Sequence, residues 1–314
     1  MAPTILIVGA TGNTGRSVVK TLSKLLTTSN ALTGHHILAL TRSSENAAAQ
    51  QLAKLPGVSV KEHHFAEISP EWLRQNEVVR AFIAPHTQPN NFIEESSFHL
   101  ACLKAGVEYV VRISTTAANV RPDCDAYYPR THWAIEALLS SPEFEKLRWS
   151  SLQPNVFTPT YLAPALEFIK HYRKTGEQST LSMMGSEDAP VGVVHPDDVG
   201  RFAAILLSSE DTSVHSNRKY VLNGPEDITG RQVMQLVEQA IDAKVKNVKF
   251  KNMDFIDDWA KATSESKYVI SSIKYAPVTS WEGKCTISTT SKEVLELAPP
   301  KITCDAWLKN ALEE

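Results

Sequence analysis

The segment Gly9-Ala10-Thr11-Gly12-Asn13-Thr14-Gly15 constrains the fold of this chain more than any other, because of what flanks it. Four consecutive apolar residues, Ile5-Leu6-Ile7-Val8, precede it in the manner of a buried strand, and Val18, Val19, Leu22, Leu25 and Leu26 follow at helical spacing. Glycines between a strand and a helix permit a tight turn, let the backbone approach a pyrophosphate, and allow the helix to pack closely on the strand. The unpaired amides and the positive end of the helix dipole then attract phosphate. Gly9, Thr11, Gly12, Asn13, Thr14 and Gly15 are therefore expected to cradle a dinucleotide.

Which dinucleotide is expected depends on the end of the second strand, Ile37 to Leu40. A carboxylate there would accept hydrogen bonds from the ribose of NAD but repel a 2′-phosphate. The sequence has Thr41-Arg42-Ser43 instead, and Glu45, the nearest acid, comes late. Arg42 offers a planar fork to a phosphate, and the hydroxyls of Thr41 and Ser43 are further donors. NADP(H) is favoured over NAD(H).

Further strand candidates at Val58 to Phe65, Val78 to Ala84, Val107 to Ser114 and Trp149 to Gln153 alternate with helical stretches, the pattern of a parallel sheet with crossover helices. A polar link, Thr27 to His35, and a Pro- and Asp-rich loop, Asn119 to Arg130, interrupt it. The second loop follows a strand, where ligands of open α/β sheets bind. At 314 residues the chain suits one large domain or two of ordinary size. We place a dinucleotide-binding domain at 1–153 and a mainly substrate-binding domain at 154–314, with one segment of the latter free to return to the first sheet. The second part reads as a smaller α+β unit: a helix from about Thr160 to Lys174 ending at Gly176, a strand Val191 to Val194, and a helix starting at Pro196. Capping boxes are expected at Thr229-Gly230-Arg231-Gln232 and Thr290-Ser291-Lys292-Glu293. His195 and Asp198 are read as organising a helix start, and Met183-Met184 as packing.

Composition narrows the function classes. The 32 basic and 35 acidic side chains leave a formal charge of -3 with no basic block, an argument against nucleic acid. Cys102, Cys124, Cys285 and Cys304 lack C-x-x-C spacing, so no metal site is expected and the thiols are read as reduced. Only Met1, Ala2, Pro3 and Thr4 precede the first strand, and no apolar run reaches the ~18 residues that span a bilayer. A cytoplasmic protein without membrane partners is the expectation.

Together GATGNTG, Arg42, Ala-Gly-Val-Glu-Tyr-Val-Val-Arg-Ile-Ser at 105–114, Gln-Pro-Asn-Val-Phe at 153–157 and His-Pro-Asp-Asp-Val-Gly at 195–200 resemble the NmrA-like family, atypical short-chain dehydrogenase/reductases related to the isoflavone reductases. The resemblance covers nearly the whole chain. It implies a Rossmann-type doubly wound parallel sheet binding NADP(H), with a smaller C-terminal domain closing over a substrate cleft. It also implies that Ala84, Pro85, His86 and Thr87 flank the cofactor after the fourth strand, with Ser114 after the fifth and Pro154, Asn155 and Phe157 after the sixth.

Reductases of this superfamily use a Tyr-x-x-x-Lys pair, and the matching stretch here is Tyr128-Pro129-Arg130-Thr131-His132. With Pro129 at the first helical position, Tyr128 would sit at the cap and His132 about one turn inside. A neutral imidazole can hold a ribose hydroxyl but cannot acidify Tyr128 as a permanent cation would. Asp123 and Asp125, in the preceding loop, are candidate acid–base groups at the substrate mouth. The leading reading is a reductase of a C=N, C=C or C=O bond in a small apolar molecule, in fungal secondary metabolism of the alkaloid kind. The alternatives are an acid–base cyclase of Pictet–Spengler type on an iminium, using Asp123, Asp125 or Tyr128, and a redox sensor that binds NADP(H) and a protein partner.

Overall fold

The computed structural model describes residues 2–28 and 32–313. Strands β1 (Thr4–Val8), β2 (His36–Thr41), β3 (Val58–Glu62), β4 (Val78–Ile83), β5 (Tyr109–Ile113) and β6 (Arg148–Pro154) enter one sheet. After a two-residue strand β7 (Leu181–Ser182), the chain returns to that sheet with β8 (Arg218–Leu222). All seven strands run parallel in the order β3-β2-β1-β4-β5-β6-β8. β7 pairs instead with β9 (Val248–Lys249), so the C-terminal region contributes few strands of its own.

Period-2 burial explains why helices cover both faces. Ile5, Ile7, Ile37, Ala39 and Phe82 point to one side and pack on α1 (Asn13–Leu26). Leu6, Val8, Leu38, Leu40 and Ile83 point to the other. That side is covered by α3 (Pro70–Gln75), α4 (Asn91–Ala105) and α5 (Tyr127–Leu139); the short α2 (Ala47–Leu52) precedes them in the chain. Beyond β6 come α6 (Thr158–Thr175), α7 (Pro196–Leu207) and α8 (Gly230–Ile241). α9 (Asp254–Ala262), α10 (Lys267–Ser272), α11 (Val278–Trp281), α12 (Lys292–Leu297) and α13 (Cys304–Glu313) complete the chain. α7 lies against α1, and a Cβ on Gly200 would come within 2.5 Å of Ser17 Cβ and 2.7 Å of the Thr14 carbonyl oxygen. A second core joins α6, α8 and α13, and a small separate one joins α9 and α10.

Several local expectations need correction. β3 stops at Glu62 and Phe65 opens a 3-10 turn, because the polar run Lys61 to His64 does not continue the apolar pattern. Val191 to Val194 makes two isolated bridges, to Ile228 and Phe157, instead of a strand. The capping box at Thr229 and Gln232 forms. The one at Thr290 does not: Ser291 is the N-cap, while Thr290 accepts a hydrogen bond from Asn223 at 3.0 Å and Ser291 one from the Val221 amide at 2.9 Å. α5 begins at Tyr127, which puts Tyr128 and Pro129 inside its first turn. Of the polar link 27–35, residues 29–31 lie outside the described residues, as does Met1.

Candidate functional site

Both halves of the site lie at the carboxyl ends of the strands, beside the point where the strand order reverses between β1 and β4. Gly9 takes a φ of +80°, which a side chain would strain. A Cβ on Gly15 would collide with the Gly9 carbonyl oxygen, so this glycine is required by helix packing. Gly12, the N-cap of α1, supplies no side chain to cap the first-turn amides, and that turn contains no acid. The helix therefore presents uncapped donors and its positive end to a cleft of about 600 Å³.

Gly9, Thr11, Gly12, Asn13, Thr14, Gly15, Thr41, Arg42, Ala84, Pro85, His86 and Phe157 line this cleft. Arg42 is exposed at its rim. The hydroxyl of Thr41 is turned inward, donating to the Ser43 carbonyl at 2.9 Å and accepting from the Ser43 amide at 3.2 Å, and Ser43 lies outside the lining. Of the three expected phosphate donors, Thr41 and Arg42 line the cleft, and the Thr41 hydroxyl is engaged within its own turn. His63, His64 and Phe65, not anticipated from sequence, complete the wall below β3, with His63 stacked on Trp72 at 4.9 Å between ring centroids. His86 donates to Glu94 at 2.8 Å, which fixes its ring at the wall.

Pro85, Ile113 and Phe157 also line a second cavity, of about 510 Å³, so the two spaces meet at the ends of β4, β5 and β6. Thr87, Ser114, Tyr128, His132, Pro154 and Asn155 belong to this second lining. Asn155 is occupied by the fold, donating to Asn223 and to the Cys285 carbonyl, both at 2.9 Å. The Ser114 hydroxyl is buried without a partner. Tyr128 and His132, one helical turn apart on α5, meet edge to face at 6.4 Å. Burial pushes the Tyr128 phenol above its ordinary value, partly offset by a hydrogen bond with Thr115.

Beneath His132 is a buried ionic cluster. Arg112 stands in the otherwise apolar β5 and points between the sheet and α4 and α5. Its Nε donates to Glu95 Oε1 at 2.6 Å, its Nη1 to Ser151 at 2.9 Å, and its Nη2 to His132 Nδ1 at 2.8 Å. Glu136 accepts from Ser151 at 2.7 Å, from Gln153 at 3.1 Å and from Lys219 at 3.0 Å. Burial alone would raise the Glu95 carboxyl, but Arg112, with hydrogen bonds from His99 and Arg112, holds it down at about 2. Burial would raise Glu136 as well, and Arg112, Ser151 and Lys219 reverse the direction.

Two carboxylates and two cations already balance in this cluster, so an imidazolium at 132 would be in excess. Burial and the Arg112 charge lower His132 to about 4, against the smaller pull of Glu95 and Glu136. Because a guanidinium is always a donor, Nδ1 must be the acceptor and the proton resides on Nε2. Nε2 has no hydrogen bond among the described residues and His132 lines the cavity, so the neutral ring offers one N–H to a ligand.

The sequence model of the NmrA-like family matches residues 1–262. The chain belongs to the NmrA-like family. A Streptomyces griseus relative, (4-alkanoyl-5-oxo-2,5-dihydrofuran-3-yl)methyl phosphate reductase, is 28% identical over 132 residues, 42% of this chain and 42% of the relative. The match thus spans less than half the length of that protein. The NADPH-dependent quinone oxidoreductase of Escherichia coli, in complex with NADPH, has a TM-score of 0.73 at 19% identity over 98% of this chain and 99% of its own. The negative transcriptional regulator NmrA, in complex with NAD, has a TM-score of 0.71 at 14% identity over 99% and 96%. At such identities these two likenesses are of fold, and they include both a reductase and a regulator.

In this NmrA-like chain two of the expected acid–base groups lie elsewhere. Asp123 is exposed and pairs with Arg121 at 2.8 Å, and Asp125 is exposed too; neither lines either cavity. The loop turns their charges to water because the space behind it is apolar. His195 caps α7 by accepting from the Asp197 amide at 3.1 Å, and Asp198 accepts from the Lys301 and Ile302 amides at 3.0 and 3.1 Å. Met183 is core, whereas Met184 lines the second cavity. Arg112, Glu95 and Glu136 were missed; an arginine amid Tyr-Val-Val-Arg-Ile was the one visible signal, since a central strand rarely buries a charge without a partner. Among the described residues no helix is long and apolar enough to cross a membrane.

Proposed function

We propose that the protein is an NADP(H)-dependent reductase of a C=O, C=N or C=C bond in a small apolar molecule. The observation that carries the reading is the junction of the two spaces: a phosphate-binding cleft opens directly into an apolar cavity, where Tyr128 and His132 offer protons at the end of β5. A reductase among its relatives and an NADPH-dependent quinone oxidoreductase among its fold neighbours support it. Gly12 and the first-turn amides of α1 would hold the pyrophosphate, Arg42 the 2′-phosphate, and the Nε2–H of His132 a ribose hydroxyl. The nucleotide, when bound, supplies a hydride. Tyr128, kept protonated by burial, gives its proton to the substrate oxygen or nitrogen and regains one from solvent.

A panel of aryl ketones, cyclic imines and enones, incubated with NADPH carrying deuterium at C4 of the nicotinamide, tests the reading by mass detection. Stoichiometric deuterium in one product is the expected result. Product formed equally with NADP⁺ and without label would overturn it in favour of acid–base chemistry. No turnover of any member, with a protein partner whose affinity differs between NADP⁺ and NADPH, would overturn it in favour of sensing.

A further inference from the structure

None of the described residues lining the second cavity is aspartate, glutamate, lysine or arginine. Its titratable members are held neutral: burial raises the Tyr128 and Tyr161 phenols and the Cys285 thiol, and burial with the Arg112 charge keeps His132 unprotonated. The carboxamides are already used. Asn119 donates to the Ala276 carbonyl and accepts from Thr279, both at 2.9 Å, and Asn155 is bound as described above. Ser114, Tyr128 and His132 place donors at the nucleotide end, and the Tyr161 hydroxyl, also buried without a partner, is a further donor from α6 beside Gly185.

Away from that end the wall changes character. Met184, Met253, Phe255 and Trp259 line it; α9 supplies the exposed rings of Phe255 and Trp259, while Met253 belongs to the small core that α9 shares with α10. Flat rings gain from offset stacking and from thioether contacts, in addition to the area they bury. A charged group entering the same space would lose its hydration and find no counter-ion, a penalty larger than that for any neutral polar group.

We infer that this cavity takes an uncharged molecule with a flat aromatic body and a hydrogen-bond-accepting end, and rejects the same molecule bearing a carboxylate, phosphate or ammonium group. The inference rests on the reductase reading only for the role of the accepting end as the reacting one. It also separates this chain from its Streptomyces relative, which is named for a phosphate ester, since no cation faces the cavity to hold a phosphate.

The test is calorimetry on a series of bicyclic and tricyclic aryl ketones, each as methyl ester and as free carboxylate, with and without NADP⁺, so that nothing turns over. The esters should bind and each carboxylate should bind at least about 100-fold more weakly. Phe255→Arg, at a side chain 49% exposed and so tolerant of change, trades a ring contact for a cation, so the ester should weaken while the ester-to-carboxylate affinity ratio falls by about 10- to 100-fold. Carboxylates that bind as tightly as their esters would overturn the inference, as would failure of every ester to bind. An ester that binds but is not reduced in a separate NADPH assay counts against the reductase reading and leaves the substrate class standing.

Discussion

Replacing His132 by glutamine removes one titrating group from the buried cluster while keeping an acceptor for Arg112 and a donor for the cavity. In the native protein the imidazole is depressed to about 4, whereas in the unfolded chain it takes its ordinary value near 6.5. Below that ordinary value the unfolded state binds a proton that the folded state refuses, so native stability falls as pH falls. The contribution is complete above about pH 7 and is lost progressively toward the folded value, roughly 3 kcal/mol in all and roughly 2 kcal/mol by pH 5. Urea unfolding at pH 8 and pH 5 should therefore show the native protein losing roughly 2 kcal/mol more than His132→Gln between the two. The ¹⁵N spectrum at pH 7 should show Nε2 protonated and Nδ1 bare. Parallel pH dependences in the two proteins, or an imidazolium at pH 6, would refute the charge-balance reasoning.

Arg42→Ala should weaken NADP(H) by about 10- to 100-fold in calorimetry and leave NAD(H) nearly unchanged, since one charge-assisted hydrogen bond or more to the 2′-phosphate is lost. Gly12→Val should leave a folded protein that NADP(H) no longer stabilises against heat, whereas Gly15→Ala should impair folding itself, because its Cβ collides with the Gly9 carbonyl. Arg112→Met should cost about 3–5 kcal/mol by stranding Glu95, Glu136 keeping its pair with Lys219, and adding Glu95→Gln should restore part of that loss in the double variant. Asp123→Asn and Asp125→Asn should change turnover less than twofold, and a larger loss in steady-state rates would return those carboxyls to the site.

The nucleotide half of the site was legible in the sequence because its determinants are local. Glycine spacing, the strand before it and the helix after it fix the backbone turn, and Gly9, Gly12 and Gly15 fall where that grammar puts them. Arg42 follows from the same logic, being one residue beyond a strand end. Thr41 shows its limit: which way its hydroxyl turns was decided by hydrogen bonds to the Ser43 backbone within the turn.

The chemical half was not legible in the same way. Residue spacing put Tyr128 and His132 on one helix face, but their state is set by groups far away in the chain. Arg112 from β5, Glu95 from α4, Glu136 from α5 and Lys219 from β8 converge only once the sheet has closed, and their charges balance only as a set. Likewise Asp123 and Asp125 sit four residues or fewer from Tyr127 yet face water, while Met253, Phe255 and Trp259 reach the cavity from more than a hundred residues further on. The sequence by itself determined the dinucleotide cradle and the parallel sheet, because backbone turns and side-chain periodicity are short-range. Only the tertiary structure decided which proton His132 carries and what charge the cavity tolerates, because a buried group's ionisation depends on every charge and dipole packed around it.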